Sequence, residues 1–293
     1  MDEEIEKKIF RGRIKVPYKH TAGEYVEKFI TEIGKNNKIG PNVIIDGPVQ
    51  IGDNNIISAG VVIRGKTLIG NNNHIYSYAM IGEDPQDITF NGGETTTIVG
   101  NGNTIREFAT IHRATSEETV TSIGDNNYLM GLSHLAHDVV IGDNNYLANT
   151  ASLAGHAEMG SNIFISFAVG IHQFARIGSY VMLGSHSKVG KDVLPFMTVD
   201  GNPALVRGLN LVGLKRNGFT PDRRKTIKDA YKQLFRSGAN LQTSVFELEK
   251  MIENVETEEQ RSDIQMLLDF IKGSKRGILL KSPSEGNEKN RVF

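Results

Sequence analysis

Aliphatic residues return at every sixth position through most of this 293-residue chain. Every sixth residue from Ile33 to Ile81 is isoleucine, the phase resumes at Val99, Ile105 and Ile111, and it then runs unbroken from Ile123 to Val189. Between 33 and 189 only Asp87, Gly93 and Glu117 fall on this phase without being aliphatic. A period of six fits neither the 3.6 of a helix nor the alternation of a two-faced strand. It fits a short strand followed by a sharp corner, repeated, so that three hexads close one coil and each aliphatic stacks on its counterpart three hexads earlier. The expected object is a prism of parallel strands, nine coils at about 4.8 Å each, roughly 40 Å tall. The segment IGDNN recurs at 51–55, 123–127 and 141–145, and Gly, Asn and Asp tolerate the left-handed backbone that a corner demands. Composition leaves the hand of the coil open, and the ordinary crossover rule predicts a right-handed one.

Two stretches, 83–98 and 113–122, lose the pattern, yet the phase returns after each. They are expected as loops expelled from the prism, the kind of segment on which functional groups sit. The prism is expected over 33–207. From 208 helical periodicity takes over, giving a helical domain over 208–281. Thr220-Pro221 supplies a cap and a first-turn proline, Ile227, Ala230, Tyr231, Leu234 and Phe235 make one apolar face, and Ser237-Gly238 ends the helix. Two more amphipathic stretches follow near 244–254 and 257–272. Residues 1–32, with Thr21 and Glu24 spaced as a capping box, predict a short helix before the prism, and 282–293 reads as a flexible tail.

Composition narrows the classes. Lys plus Arg is 33 against 34 for Asp plus Glu, a formal net charge of −1, which supplies no overall field for nucleic acid or anionic lipid. No apolar run is long enough for a membrane-spanning helix and the N-terminus carries no apolar signal core. Cysteine is absent, which removes disulfides, thiolate nucleophiles and Cys-ligated zinc together. The expectation is a cytoplasmic protein without integral membrane contact.

Five of the eight histidines lie between 112 and 172, at His112, His134, His137, His156 and His172. With three hexads per coil, His137, His156 and His172 are expected near one edge of the prism, with His134 one face-step earlier. Neutral imidazole is the usual general base near pH 7, and Asp138 is placed to support the ring of His137 provided a corner turns the two side chains together. Three imidazoles in a column also suit zinc. The hexad carbonic anhydrases carry a His pair five residues apart, and no such pair occurs here. The reading favoured on spacing is a metal-free, cofactor-free base.

The hexads, IREFATIHR (105–113), SHLAHD (133–138), LAGH (153–156), IHQF (171–174), DGNP (200–203) and GLNLVGLKRNGF (208–219) together resemble the UDP-N-acetylglucosamine O-acyltransferase family that begins lipid A synthesis, over about residues 33–280. The resemblance implies a left-handed parallel β-helix with a C-terminal α-helical domain, assembled as a homotrimer with sites between subunits. It implies that a 3-hydroxyacyl chain moves from acyl carrier protein to the 3-position of a UDP-amino sugar, with no cofactor. By the same resemblance His137 matches the catalytic base, Asp138 its partner and the Gly155 N–H the oxyanion donor. Asp87, His134 and His156 match sugar contacts, while His172, Gln173, Asn210 and Arg216 match nucleotide and phosphate contacts. Ser185 matches the position that limits acyl-chain length, and implies a shorter chain than glycine there. Thr89, Phe167, Val212 and Asn217 depart from the family pattern and bear on which sugar is accepted. The alternatives are a related sugar N-acyltransferase and a non-catalytic paralogue that binds nucleotide sugar. Basic residues Lys215, Arg216, Arg223, Arg224, Lys225, Lys228 and Lys232 suggest a landing site for the acidic carrier protein.

Overall fold

The computed structural model describes residues 32–279, so the expected N-terminal helix and the expected flexible tail lie outside the described residues. Within them, strands mostly two to four residues long wind into three parallel sheets that enclose a triangular prism. The first sheet has eight strands, from Glu32–Ile33 to Arg176–Ile177. The third has eight, from Ile44–Asp46 to Lys188–Val189. The second has ten, from Lys38–Ile39 to Met182–Leu183, then Met197–Asp200 and an antiparallel edge strand, Leu205–Leu209. The fold is a left-handed parallel β-helix followed by helices.

The hexad aliphatics face one another across coils as the repeat predicts: Ile51 pairs with Ile69, Ile69 with Val99, and Val99 with Ile123. Ile57, Ile63, Ile75, Ile81, Ile105, Leu129 and Leu147 are each at most 1 % exposed, and burying each such side chain favours the coil by about 1.5–3 kcal/mol. Ile33, in the first described strand, is still 37 % exposed, because no described coil lies beneath it.

The expected nine coils become eight complete ones, closed at the end by a partial ninth through Val193 and Met197–Asp200. The three non-aliphatic hexad positions belong to the expelled loops, which add no coil. Uninterrupted coils pair three hexads apart, as Ile63 does with Ile81. Across the first loop the step widens, so that Ile81 pairs with Ile111, and across the second Ile111 pairs with Leu135.

The right-handed expectation fails for a physical reason. The crossover rule rests on the twist of long strands feeding a long connection, and two-residue strands accumulate little twist. Here the connections are corners holding one residue with φ near +60°, such as Asn54, Asn126 and Asn144. The next asparagine in each IGDNN segment is buried and forms a ladder. The Oδ1 atoms of Asn55, Asn73, Asn103 and Asn127 accept the backbone N–H of Asn73, Asn103, Asn127 and Asn145 at 2.8–2.9 Å.

Beyond the prism the chain forms α1 (Leu211–Arg216), α2 (Pro221–Phe235), α3 (Leu241–Glu253) and α4 (Glu258–Lys272). Leu205–Leu209 crosses the expected boundary between 207 and 208, because it hydrogen-bonds as the last strand of the second sheet. Thr220 caps α2, whose buried face is the expected set Ile227, Ala230, Tyr231, Leu234 and Phe235. α4 begins with a capping box on Thr257 and Gln260. It returns to the prism through the Arg176 guanidinium, 4.6 Å from the Phe270 ring centre, and through Ser274, whose hydroxyl donates to the buried Asp192 carboxylate at 2.7 Å.

Candidate active site

The corner between the third and first sheets builds the centre of the site. His137 follows the strand His134–Leu135, and Asp138 occupies the left-handed conformation with φ +60°. On a straight strand the two side chains would point apart. The positive φ turns the Asp138 carboxylate back until Oδ2 lies 2.8 Å from His137 Nδ1. One coil on, His156 takes the same conformation, its ring edge-on to that of His137 at 5.2 Å and its Nε2 3.4 Å from Asp138 Oδ2. The next residue of this column is Phe174, stacked on His156 at 4.6 Å.

Asp138 is almost fully enclosed, its side chain 2 % exposed. Burial pushes its pKa up, but hydrogen bonds from Thr119, Thr115 and His137 outweigh that and hold it below the ordinary carboxylate value. An ionised carboxylate only accepts. His137 Nδ1 therefore carries the proton and donates it, and the lone pair of the neutral ring stands on Nε2. Asp87, delivered by the first expelled loop, places Oδ2 3.9 Å from that Nε2, too far for a direct hydrogen bond. Thr89 orients Asp87, donating from its backbone N–H at 2.8 Å and its hydroxyl at 2.7 Å to Oδ1. These bonds, backbone first, hold Asp87 below its ordinary pKa.

Gly155 lies against the face of the His137 ring. A Cβ there would fall 2.6 Å from Nε2 and closer still to Cε1, so only glycine lets the ring approach this backbone. The Gly155 N–H makes no hydrogen bond within the described residues, while its carbonyl accepts from Phe174 N–H at 3.1 Å. A free N–H beside a candidate base is the kind of donor a developing oxyanion uses.

His134 Nδ1 shares a 2.8 Å hydrogen bond with the Thr110 hydroxyl, and its ring meets that of His112 edge-on at 5.3 Å. Burial first, then the charges His112 and His137 can carry, lower the His134 pKa. His112 Nδ1 donates to the Asp84 carbonyl at 2.5 Å, and Arg113 grips the Asp84 carboxylate at 2.7 and 3.0 Å. Together they moor the loop that carries Asp87.

The expected single column of histidines resolves into adjacent ones. His137, Gly155 and Gln173 share one corner position, and Asp138, His156 and Phe174 the next. His172 stands where Ala136 and Ala154 stand on the two preceding coils. It is exposed, and its Nδ1 donates to the Gln173 carbonyl at 3.2 Å. The reason is arithmetic: 172 falls two short of 174, the position that continues the Asp138 and His156 column.

Asn210 and Arg216 lie elsewhere, on a cavity of about 850 Å³ between α1 and the outer face of the second sheet, where Tyr146, Phe164 and Met182 also line it. Asn210 caps α1, its Oδ1 accepting the Gly213 N–H at 2.9 Å and its Nδ2 donating to the Tyr180 carbonyl at 2.9 Å. Arg216 is exposed and pairs with no carboxylate among the described residues. Ser185 is exposed at the corner between the second and third sheets, one coil beyond Phe167, whose ring meets that of His186 edge-on at 5.2 Å. Of the basic residues suggested as a landing site, Arg223 is committed inward. It forms a two-pronged pair with the buried Asp263 at 2.7 and 2.9 Å and covers the Phe219 ring.

Sequence reasoning missed Thr115, Thr119 and Thr121, which surround Asp138 from the second expelled loop and the strand after it. The only available signal was that the loop is rich in threonine. It also missed that His137, Asp138 and His156 each place one ligand-type atom within 4.8 Å of one another, a spacing that a metal ion can bridge.

Two family models match the chain. The second domain of the UDP-N-acetylglucosamine O-acyltransferases covers residues 192–279, and the bacterial transferase hexapeptide covers 30–65 and 121–155. An acyl-(acyl-carrier-protein)–UDP-N-acetylglucosamine O-acyltransferase of Sulfurihydrogenibium sp. is 54% identical over 248 residues, 84% of this chain and 89% of the relative. One of Nautilia profundicola is 47% identical over 206 residues, 70% of this chain and 77% of the relative. The crystal structure of the Moraxella catarrhalis UDP-N-acetylglucosamine O-acyltransferase superimposes with a TM-score of 0.80 at 39% identity, covering 86% of this chain and 98% of the other. With identities this high across this much of the molecule, the chain belongs to the UDP-N-acetylglucosamine O-acyltransferase family.

Proposed function

We propose that the protein transfers a 3-hydroxyacyl chain from acyl carrier protein to the 3-hydroxyl, or an equivalent 3-amino group, of UDP-N-acetylglucosamine, the opening step of lipid A biosynthesis in the cytoplasm. One observation carries the reading: the His137 ring is held by its Nδ1 on a buried, ionised Asp138, with Nε2 turned toward both Asp87 and the Gly155 backbone. Nε2 takes the proton of the sugar 3-hydroxyl as its oxygen forms a bond to the thioester carbonyl carbon. Negative charge moves to the carbonyl oxygen, where the Gly155 N–H meets it. Collapse of this tetrahedral species breaks the C–S bond, and the imidazolium returns the proton to the departing thiolate. Asp138 stabilises the imidazolium meanwhile. The gap of 3.9 Å between Asp87 and Nε2 is sized for a sugar hydroxyl bonded to both.

Asn210 and Arg216 are assigned to the nucleotide diphosphate, for which the Arg fork is suited, and His172 and Gln173 to the same ligand. Asn210 and Arg216 lie against the second sheet, whereas the His137 corner joins the third and first sheets, so a single bound sugar nucleotide reaches both only where two chains meet. This supports a homotrimer with a shared site. Ser185, one coil beyond Phe167, is assigned to the end of the acyl groove. Ser185→Gly lengthens the preferred chain, and an unchanged product profile removes that assignment.

The test is to incubate the protein with UDP-N-acetylglucosamine and 3-hydroxyacyl carrier protein. Acylated sugar nucleotide is expected, with turnover reduced at least about a thousandfold in a folded His137→Ala variant. Binding of the sugar nucleotide without turnover in the wild type would leave the non-catalytic paralogue standing, and transfer only to the free amine of a glucosamine acceptor would favour the N-acyltransferase. Because His137, Asp138 and His156 also have a metal-compatible spacing, the assay includes a chelator. Full activity after chelation is expected, and loss restored by zinc would replace the base with a metal.

A further inference from the structure

The second expelled loop closes over the catalytic pair. Residues 113–119 leave the prism after the strand Thr110–His112 and the chain rejoins it at Val120–Ile123, and on the way they bring two hydroxyls and one amide onto the Asp138 carboxylate. Thr115 donates from its hydroxyl to Oδ2 at 2.7 Å and from its N–H at 3.2 Å to Oδ1, and the Thr119 hydroxyl donates to Oδ1 at 2.5 Å. Thr121, fully buried, accepts the Asp138 N–H on its hydroxyl at 2.7 Å and so pins the backbone in its left-handed turn. The loop is tied to itself by the Ser116 and Thr119 hydroxyls, 3.0 Å apart. Neither Thr115 nor Thr119 reaches His137 or Asp87 by any hydrogen bond, so their action passes through Asp138 alone.

We propose that this loop is a positioning clamp, in which Thr115 and Thr119 lock the carboxylate of Asp138 in the one orientation that aims the His137 Nδ1–H bond and leaves Nε2 toward the sugar. The proposal rests on the acyltransferase reading of His137 and adds two residues to it. The titratable groups facing Asp138 are His137 on its own corner and His156 on the next coil, with Asp87 reaching the far side of His137 from the first loop. Losing a donor from a nearly enclosed carboxylate makes that carboxylate more basic. It then binds its imidazolium partner more strongly while orienting it less well.

The experiment compares Thr119→Val, Thr115→Val and the conservative Thr119→Ser with the wild type in kcat, in KM for both substrates, and in the pH dependence of kcat. The Asp138 carboxyl is followed separately by NMR of protein labelled at aspartate. In the valine variants kcat is expected to fall roughly tenfold to a hundredfold, with KM nearly unchanged. The acid limb of kcat and the Asp138 titration both move to higher pH. Thr119→Ser restores all three. Valine variants with wild-type kcat and an unmoved Asp138 titration would overturn the clamp, as would equal losses in the serine and valine variants. Should the wild type fail to acylate the sugar nucleotide, the reading of the function falls, while the Asp138 titration still decides whether the loop holds that carboxylate.

Discussion

At the scale of the residue, the site depends on two backbone conformations that most side chains avoid. Asp138 and His156 both carry φ near +60°, a conformation that costs a non-glycine residue about 1–2 kcal/mol. In return the corner delivers a carboxylate and two imidazoles to one point. Gly155 makes the third requirement. Gly155→Ala drives a methyl group into the His137 ring, and kcat is expected to drop about a hundredfold or more because the ring must leave both Asp138 and the free N–H. A steady-state assay on a variant of unchanged circular dichroism checks it. His134 supplies a pH signature. Its folded-state pKa lies below the ordinary imidazole value of 6.5, so the unfolded chain binds the proton more readily. Stability from this group is therefore complete above about pH 6.5 and is lost as pH falls from there through the folded-state value. Melting temperatures are expected to fall between pH 7.5 and 5.5, with a smaller fall in His134→Gln.

At the scale of the element, the coil is a device for repeating a corner, and the asparagine ladder fixes the register of successive coils. Asn103 is 1 % exposed and its Oδ1 accepts the buried N–H of Asn127. Asn103→Ala leaves that donor without a partner and is expected to destabilise the fold by about 1–3 kcal/mol, read as a lower melting temperature. The expelled loops work differently. Their lengths widen the pairing step from three hexads to the larger offsets between Ile81 and Ile111 and between Ile111 and Leu135, yet each lands its polar residues on the same corner. The first brings Asp87 to His137, and the second brings Thr115 and Thr119 to Asp138. The hexad phase revealed that they were expelled. It carried no information on where they fold back, because that depends on bonds such as Arg113 to Asp84 and His112 to the Asp84 carbonyl, which join residues far apart along the chain.

At the scale of the whole molecule, the separation between the His137 corner and the Asn210 and Arg216 cavity makes an assembly prediction. Mixed trimers of His137→Ala and Arg216→Ala chains are expected to recover part of the activity that each variant lacks alone, because some shared sites then receive an intact member from each chain. No recovery, with trimers confirmed by mass at three times the 32.3 kDa chain, would place the whole site within one chain. If the exposed Lys215, Arg216, Lys225 and Lys228 receive an acidic carrier protein, salt weakens that contact. The KM for the carrier is accordingly expected to rise with salt while that for a pantetheine thioester changes less.

The prism was legible in the sequence because burial at a fixed spacing is a local rule: each inward aliphatic answers only to its place in the hexad, and Ile57 or Leu147 needs no distant partner to be assigned inside. Three of the helices after the prism were legible for a similar reason, the one from Pro221 through its cap and apolar face and the next two through amphipathic periodicity. The motifs around His137, Asp138 and Gly155 carried the resemblance on which the proposed chemistry rests. What the sequence left to the tertiary structure was orientation: that Asp138 turns back onto Nδ1, that Phe174 and not His172 stacks on His156, and that two loops converge on one carboxylate and one imidazole. Such facts depend on the sign of a single φ angle and on contacts between residues far apart along the chain, and neither leaves a period to be read.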